Sequence, residues 1–309
     1  MYLIGLFASA SWERFQRGIR QHYLYDPEED DIVADLLRDL NTRPIVHTAC
    51  NKLSSHLLLT LTFDDGGRAM FKPVKTTKYQ ETLPDHFYFS DRERPMAEIA
   101  AFHLDRVLAF YRAPPTVGRV LNITRDVVQV GDSELRSSAY TSPAGNTCVL
   151  GTCLVECTYE HGLCGTPDLI QGAATAMLPN RSATFLGTVI RNPWARSYDP
   201  RLKAEWEKDD DFCRTRVMSR SRFRGRTLLD LMDMAVFDFL IGNPDRHHYE
   251  IFRQFGLDTF VVLYDHGRGF GKPRVDDLSI LAPVRQCCKI RGVQSYVAAR
   301  GETKGRCPP

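Results

Sequence analysis

Six consecutive residues, Asp245-Arg246-His247-His248-Tyr249-Glu250, set two carboxylates, a guanidinium and two imidazoles directly after an apolar run, TLLDLMDMAVFDFLIGN (227–243). Three readings compete for such a density of titratable groups: a metal site on the histidines, a catalytic loop on Asp245, or a solvated helix end. Adjacent side chains diverge in helix and strand alike, so a vicinal histidine pair rarely closes on one ion. The loop is therefore judged by what the rest of the chain supplies.

Phosphoryl transfer from ATP needs a cation on the phosphates, an acid to hold that cation or a metal, a base at the acceptor hydroxyl and an acid on the metal. The chain offers these in order: Lys72 at the end of a strand, Glu93 at the entry to a helix, Asp245, and Asp265 opening Asp265-His266-Gly267. Glu250 stands five residues after the base, where protein kinases carry a second metal ligand. Singly, each has an inert reading: a solvated strand lysine, an acid favoured by a helix dipole, a turn aspartate. The order gives the set its meaning. One kinase part is missing, because ACNKLSSHLLL (49–59), ahead of the first expected strand, holds no glycine to cover phosphates.

The elements that must position these groups are readable in outline. Residues 28–40 open with acids and carry Ile32, Leu36, Leu37 and Leu40 at helical spacing. LLLTLTF (57–63), Asp64-Asp65-Gly66-Gly67 and RAMFKPV (68–74) predict a hairpin ending near Lys72. From Pro95 a helix is expected, with Ile99, Phe102, Val107 and Phe110 on a buried stripe, stopping before Pro114-Pro115. Residues 146–166 read as a cysteine-stapled loop, and helices are expected to predominate from 167 onward, with Gly242 ending the 227–241 helix. DTFVVLYD (258–265) reads as a short strand. The order is a β-rich first part with one long helix and a larger helical second part, divided near 170–180.

Composition bounds the function. The 309 residues carry a formal net charge of +2, with 43% hydrophobic and 25% charged residues, an ordinary globular balance. One basic segment, RTRVMSRSRFRGR (214–226), reads as an exposed loop, so no nucleic-acid partner is expected. No apolar run is long enough for a membrane span. MYLIGLFASA ends in Ala8-Ser9-Ala10 like a signal-peptidase site, without a basic leader. Nine cysteines without a C-x-x-C knuckle favour disulfides and an oxidising compartment, and Asn122 and Asn180 head glycosylation sequons.

The blocks DHFYFSDRERPMAEIAAFHLDRVL, CTYEHGLCGTPD, RNPWARSYDPRLKAEWE, FDFLIGNPDRHHYEIF and DHGRGFGKPRVDDLSILAPVRQCC closely resemble the atypical secretory-pathway kinases of the "family with sequence similarity twenty" group. The similarity runs from about Trp12 to Arg291. It implies an α+β, atypical protein-kinase-like two-lobed fold: an N-terminal helical segment (1–45), a β-rich N-lobe with a disulfide-rich insertion (46–175) and a mostly helical C-lobe (176–309). Past residue 291 the sequence leaves the family pattern, and the C-lobe is expected to be incomplete at its end. The resemblance implies ATP and Mn2+ as ligands. It makes Asp245 the catalytic aspartate and Lys72 the phosphate-contacting lysine. Glu93 and Asp265 become metal ligands, Glu250 a nucleotide-site glutamate and Thr175, Ala176, Met177 and Leu178 the adenine-contacting hinge. His56 falls where the family usually has a nucleotide-site glutamine, and His266 where asparagine follows the metal aspartate.

Family disulfides imply Cys148–Cys164, Cys153–Cys157 and Cys213–Cys287. The pseudokinase branch carries glutamine where Glu93 stands. FYFSD (87–91), RNPWxRSY and KAEWE resemble the Golgi casein kinase branch, which phosphorylates Ser-x-Glu-type sites in secreted proteins. The implied protein is thus a Golgi-luminal or secreted serine kinase acting on acidic secreted proteins. A xylosylkinase is the runner-up, and a third reading is a catalytically impaired partner of an active paralogue.

Overall fold

Alternating burial builds the hairpin that carries Lys72. The computed structural model describes residues 9–291 except 53, 55, 76–92, 155–156, 159–160, 180–186 and 224. In β2 (Leu59–Phe63), Leu59, Leu61 and Phe63 point inward, and in β3 (Arg68–Pro73) Ala69, Phe71 and Pro73 do the same. The pleat therefore turns Lys72 to the opposite face. Gly66 makes the turn with φ +84°, and a Cβ on Gly67 would stand 2.7 Å from the ring of Trp12.

Two further strands of this sheet differ from the sequence expectation. Ile45–Cys50 forms β1, so the hairpin is not the sheet's beginning, and 169–176 is a strand rather than the start of a helical part. With β4 (Thr116–Asn122) and β8 (Leu169–Ala176), the five-stranded antiparallel order is β1-β2-β3-β8-β4. Packing overrides weak local propensity in β8: a Cβ on Gly172 would meet the Phe71 ring at 2.3 Å and the Lys72 carbonyl at 2.5 Å, so the close approach of β3 needs glycine there.

The N-terminal helices, α1 (Ser11–Gly18) and α2 (Asp30–Thr42), contribute Phe15, Val33, Leu36 and Leu40 to the same core as the sheet. Asn41 donates to the Gly118 carbonyl at 2.7 Å and Arg119 donates back to the Leu40 carbonyl at 2.7 Å. In α3 (Pro95–Val107) the buried set is Ala97, Glu98, Ala101, Phe102 and Asp105, while Val107 is 80% exposed. Val107 follows Asp105 by two residues, about 200° around the helix, which turns it to solvent. Phe110 is buried, but beyond the helix.

Within the expected stapled loop (146–166) the described residues include strands. β5 (Ala139–Thr141), β6 (Thr147–Val149) and β7 (Leu163–Cys164) form a small sheet in which Cys148 and Cys164 are paired across strands and disulfide-bonded. Disulfides also join Cys153 to Cys157 and Cys213 to Cys287.

A second core surrounds α5 (Arg226–Ile241), whose Leu231, Met232, Met234 and Phe237 are buried. Gly242 ends it in the left-handed region at φ +64°. β9 (Gly187–Arg191) pairs with β10 (His248–Phe252), and α6 (Ala282–Cys287) follows. Among the described residues beyond 176, long regular helix is confined to α5; the remaining helical elements are short. Residues 258–265 do not form the expected strand. Phe260–Leu263 are buried, yet only Val262 bridges, to Glu250, because the amides of Val261 and Leu263 bond instead to the Asp230 carboxylate and the Arg112 carbonyl.

Candidate active site

Lys72 reaches from β3 into a ring of acids. Its Nζ lies 2.7 Å from Glu98 Oε1, 2.7 Å from Asp265 Oδ1 and 3.8 Å from Glu93 Oε2. Burial disfavours its charge, but attraction to Asp265, Glu98 and Glu93 outweighs this and holds the ammonium's pKa well above its ordinary value. Glu98 is the member that the sequence reading missed. It is the acid inside the buried stripe of α3, whereas the ordered set takes Glu93, at the entry to that helix. An acid in register with Ala101, Phe102 and Asp105 was the available signal. Burial pushes the Glu98 pKa up, but Lys72 and the hydrogen bond from His266 pull it down to about 2.

Asp265 has φ +61°, a left-handed conformation rarely adopted by a non-glycine residue. Its pKa lies well below the carboxylate range, chiefly because of Lys72. Glu93 is held beside it by main chain: the Arg94 amide donates to the Gly267 carbonyl at 2.7 Å. A Cβ on Gly267 would stand 3.4 Å from the Cβ, Cγ and Cδ of Glu93, so that side chain lies directly over the loop.

Asp245 is fixed from α5. The Asn243 Oδ1 accepts from the Asp245 amide at 3.1 Å, and the Asn243 Nδ2 donates to Asp238 at 3.2 Å. Arg246 holds both Asp238 oxygens, at 2.9 and 2.7 Å, and donates to the Tyr264 carbonyl, which binds the base loop to the segment ending in Asp265. The Asp245 carboxylate has one buried, unpartnered oxygen, and its Oδ2 lies 3.6 Å from Arg268 Nε. Burial, reinforced by repulsion from Asp265 and Glu93, raises its pKa to about 7. That is a basicity matched to taking up a proton near neutrality.

The histidine pair flanks this site. His247 Nε2 is 3.9 Å from Asp265 Oδ2 and its ring centroid lies 6.0 Å from that of Tyr198; burial lowers the pKa of both His247 and His248. Glu250 lies in β10, where its carbonyl accepts from the Val262 amide at 2.9 Å. Thr175 and Ala176 close β8 and are followed by Met177 and Leu178. The Met177 amide donates to the Arg68 carbonyl and its own carbonyl accepts from Gln16 Nε2, both at 3.1 Å. His56 sits between β1 and β2. Asn122 accepts from the Arg125 amide at 2.8 Å, capping a helical turn; Asn180 lies outside the described residues.

The structure thus brings Lys72, Glu93, Glu98, Asp265 and Asp245 to one face between the two cores. Among the described residues no three acidic, histidine or cysteine side chains converge as a complete metal cage. Glu93 and Asp265, both beside Lys72, are oxygen donors of the kind that would suit a Mg2+- or Mn2+-type cation whose remaining ligands come from phosphate oxygens.

A family model described as Golgi casein kinase, C-terminal, Fam20 matches residues 10–297. The chain is 49% identical over 282 residues to the Homo sapiens extracellular serine/threonine protein kinase FAM20C, covering 91% of this chain and 48% of that protein. It is 43% identical over 301 residues to the Homo sapiens pseudokinase FAM20A, covering 91% of this chain and 55% of that protein. The chain therefore spans about half the length of these curated relatives. A crystal structure of the Golgi casein kinase with Mn/ADP bound superposes with a TM-score of 0.88 at 39% identity, over 94% of this chain and 69% of that one. The fold is accordingly α+β and kinase-like.

Proposed function

This chain belongs to the Fam20 family, and we propose that it transfers the γ-phosphoryl group of ATP to serine in Ser-x-Glu-type sites of secreted proteins, in the Golgi lumen or after secretion. The observation that carries the reading is the Lys72–Glu98–Asp265 ion network facing a buried Asp245 whose pKa is raised to about 7.

In this reading Lys72 neutralises phosphate charge while Glu98 keeps its ammonium in place. The backbone from Thr175 to Leu178 receives the adenine, and Glu250 and His56 border the nucleotide. Asp245 orients the serine hydroxyl and accepts its proton as the oxygen attacks the γ-phosphorus and the bond from that phosphorus to the β–γ bridging oxygen breaks, releasing ADP. Glu93 and Asp265 are the residues that would hold Mn2+, and the ion, when bound, supplies charge neutralisation at the phosphate oxygens. Three disulfides among the described residues suit an oxidising compartment. No described helix is long and apolar enough to cross a membrane.

The similarity to a pseudokinase motivates a second reading, an allosteric partner of an active paralogue. The acid at Glu93, 3.8 Å from Lys72, favours turnover instead. The test offers a Ser-x-Glu peptide and a xylose-containing acceptor side by side with ATP and Mn2+. Phosphate is expected on the peptide and is expected to vanish in Asp265→Ala. Transfer to the sugar alone makes the chain a xylosylkinase, nucleotide binding without transfer makes it a partner, and full activity of Asp265→Ala overturns the mechanism.

A further inference from the structure

The residue after the metal-site aspartate is tied to α3. His266 is 2% exposed, and its amide donates to both oxygens of Glu98, at 3.0 Å each. Its Nδ1 also lies 3.0 Å from Glu98 Oε2, and because a carboxylate only accepts, Nδ1 carries the hydrogen. Nε2 is buried without a partner, and the ring packs against Phe237 of α5 with centroids 5.5 Å apart. A closed circuit results. Lys72 bonds Glu98 Oε1, His266 bonds Glu98 Oε2, and Asp265, joined covalently to His266, bonds Lys72.

The two kinds of bond in this circuit have different consequences. The amide contact survives any substitution at 266 except proline, whereas the imidazole is the sole side chain holding Oε2 among the described residues. With Oε2 held, the carboxylate plane is fixed and Oε1 stays directed at Lys72. Without it, the amide shared between the two oxygens is left alone to set the last torsion of Glu98, and the preference for Oε1 at the ammonium weakens. We propose that His266 is a positioning residue for phosphoryl transfer: by its Nδ1–H it orients Glu98, and through Glu98 it sets Lys72. The proposal rests on the kinase reading given above.

Two opposing substitutions separate hydrogen bonding from packing. His266→Phe keeps a ring against Phe237 and loses the donor. His266→Asn loses the ring but places an amide nitrogen near the position of Nδ1. His266→Ala, lacking both, sets the floor. With ATP, Mn2+ and a Ser-x-Glu peptide, His266→Phe is expected to lower kcat/KM for ATP about tenfold, the scale of one hydrogen bond to a charged group, with the peptide KM unchanged. His266→Asn is expected within about threefold of wild type. Hydrogen exchange of the α3 amides (95–107) supplies a readout independent of turnover: faster in His266→Phe and His266→Ala, near wild type in His266→Asn. Wild-type behaviour of His266→Phe, or asparagine as impaired as alanine, overturns the proposal. A wild-type chain that phosphorylates no acceptor defeats the kinase reading, while the exchange order still decides the role of His266.

Discussion

Glu98→Gln neutralises one of the three acids gathered around Lys72. The substitution keeps shape and removes charge at a position 7% exposed, 2.7 Å from the ammonium. A hydrogen bond between charged groups contributes about 1.5–3 kcal/mol. If Lys72 must be held for transfer, kcat/KM for ATP falls by about 10- to 150-fold. A stability effect accompanies it. Against burial, Lys72 and His266 pull the Glu98 pKa down to about 2 from an ordinary 4.5, so its ionised form stabilises the fold at neutral pH. Because the folded pKa is depressed, that contribution is present above pH 4.5 and is lost as pH falls from there toward 2. The variant should therefore show a smaller acid-induced loss of stability across that window, read by urea unfolding at stepped pH. Glu93→Gln is the control: it leaves the short Lys72 contacts intact and should act by raising the Mn2+ concentration needed for half-maximal rate. The reasoning is refuted if Glu98→Gln keeps wild-type kcat/KM, or if its defect disappears with excess Mn2+.

Two further outcomes follow from buried charge. Since Asp245 must be ionised to accept a proton and titrates at about 7, kcat/KM should climb as pH rises through that value; Asp245→Asn should lose about 10²–10⁴ in rate, and a flat profile from pH 5.5 to 8.5 would contradict the base assignment. Arg112 pairs with Asp230 and Asp233 at 3.2 and 3.1 Å, with both acids fully buried, so Arg112→Met should cost about 3–5 kcal/mol in urea unfolding, and a loss under about 1 kcal/mol would show that Arg226 and Arg291 suffice to neutralise them.

The parts of the site that could be read from the chain are those whose chemistry is local. The Asp64–Gly67 turn announces the hairpin and so Lys72; an apolar run closed by Gly242 announces α5 and so the loop of Asp245. What stayed hidden depends on partners distant in sequence. Glu98 is one acid among several until the phase of α3 is known, and the hidden strand β8 is specified less by its own small residues than by the Phe71 ring lying over Gly172. In 258–265 the residues have strand character, but the ladder is replaced by bonds to Arg112 and Asp230. Likewise nothing in residues 11–42 announces that Phe15 and Leu40 complete the core beneath the sheet rather than forming a segment of their own.

The Gln16–Met177 bond has a mechanical meaning for the two halves of the molecule. Met177 is held on its amide by Arg68 of β3 and on its carbonyl by α1, so it moves with the sheet and not with the part that follows. Any swing of one half against the other must then pivot beyond Met177.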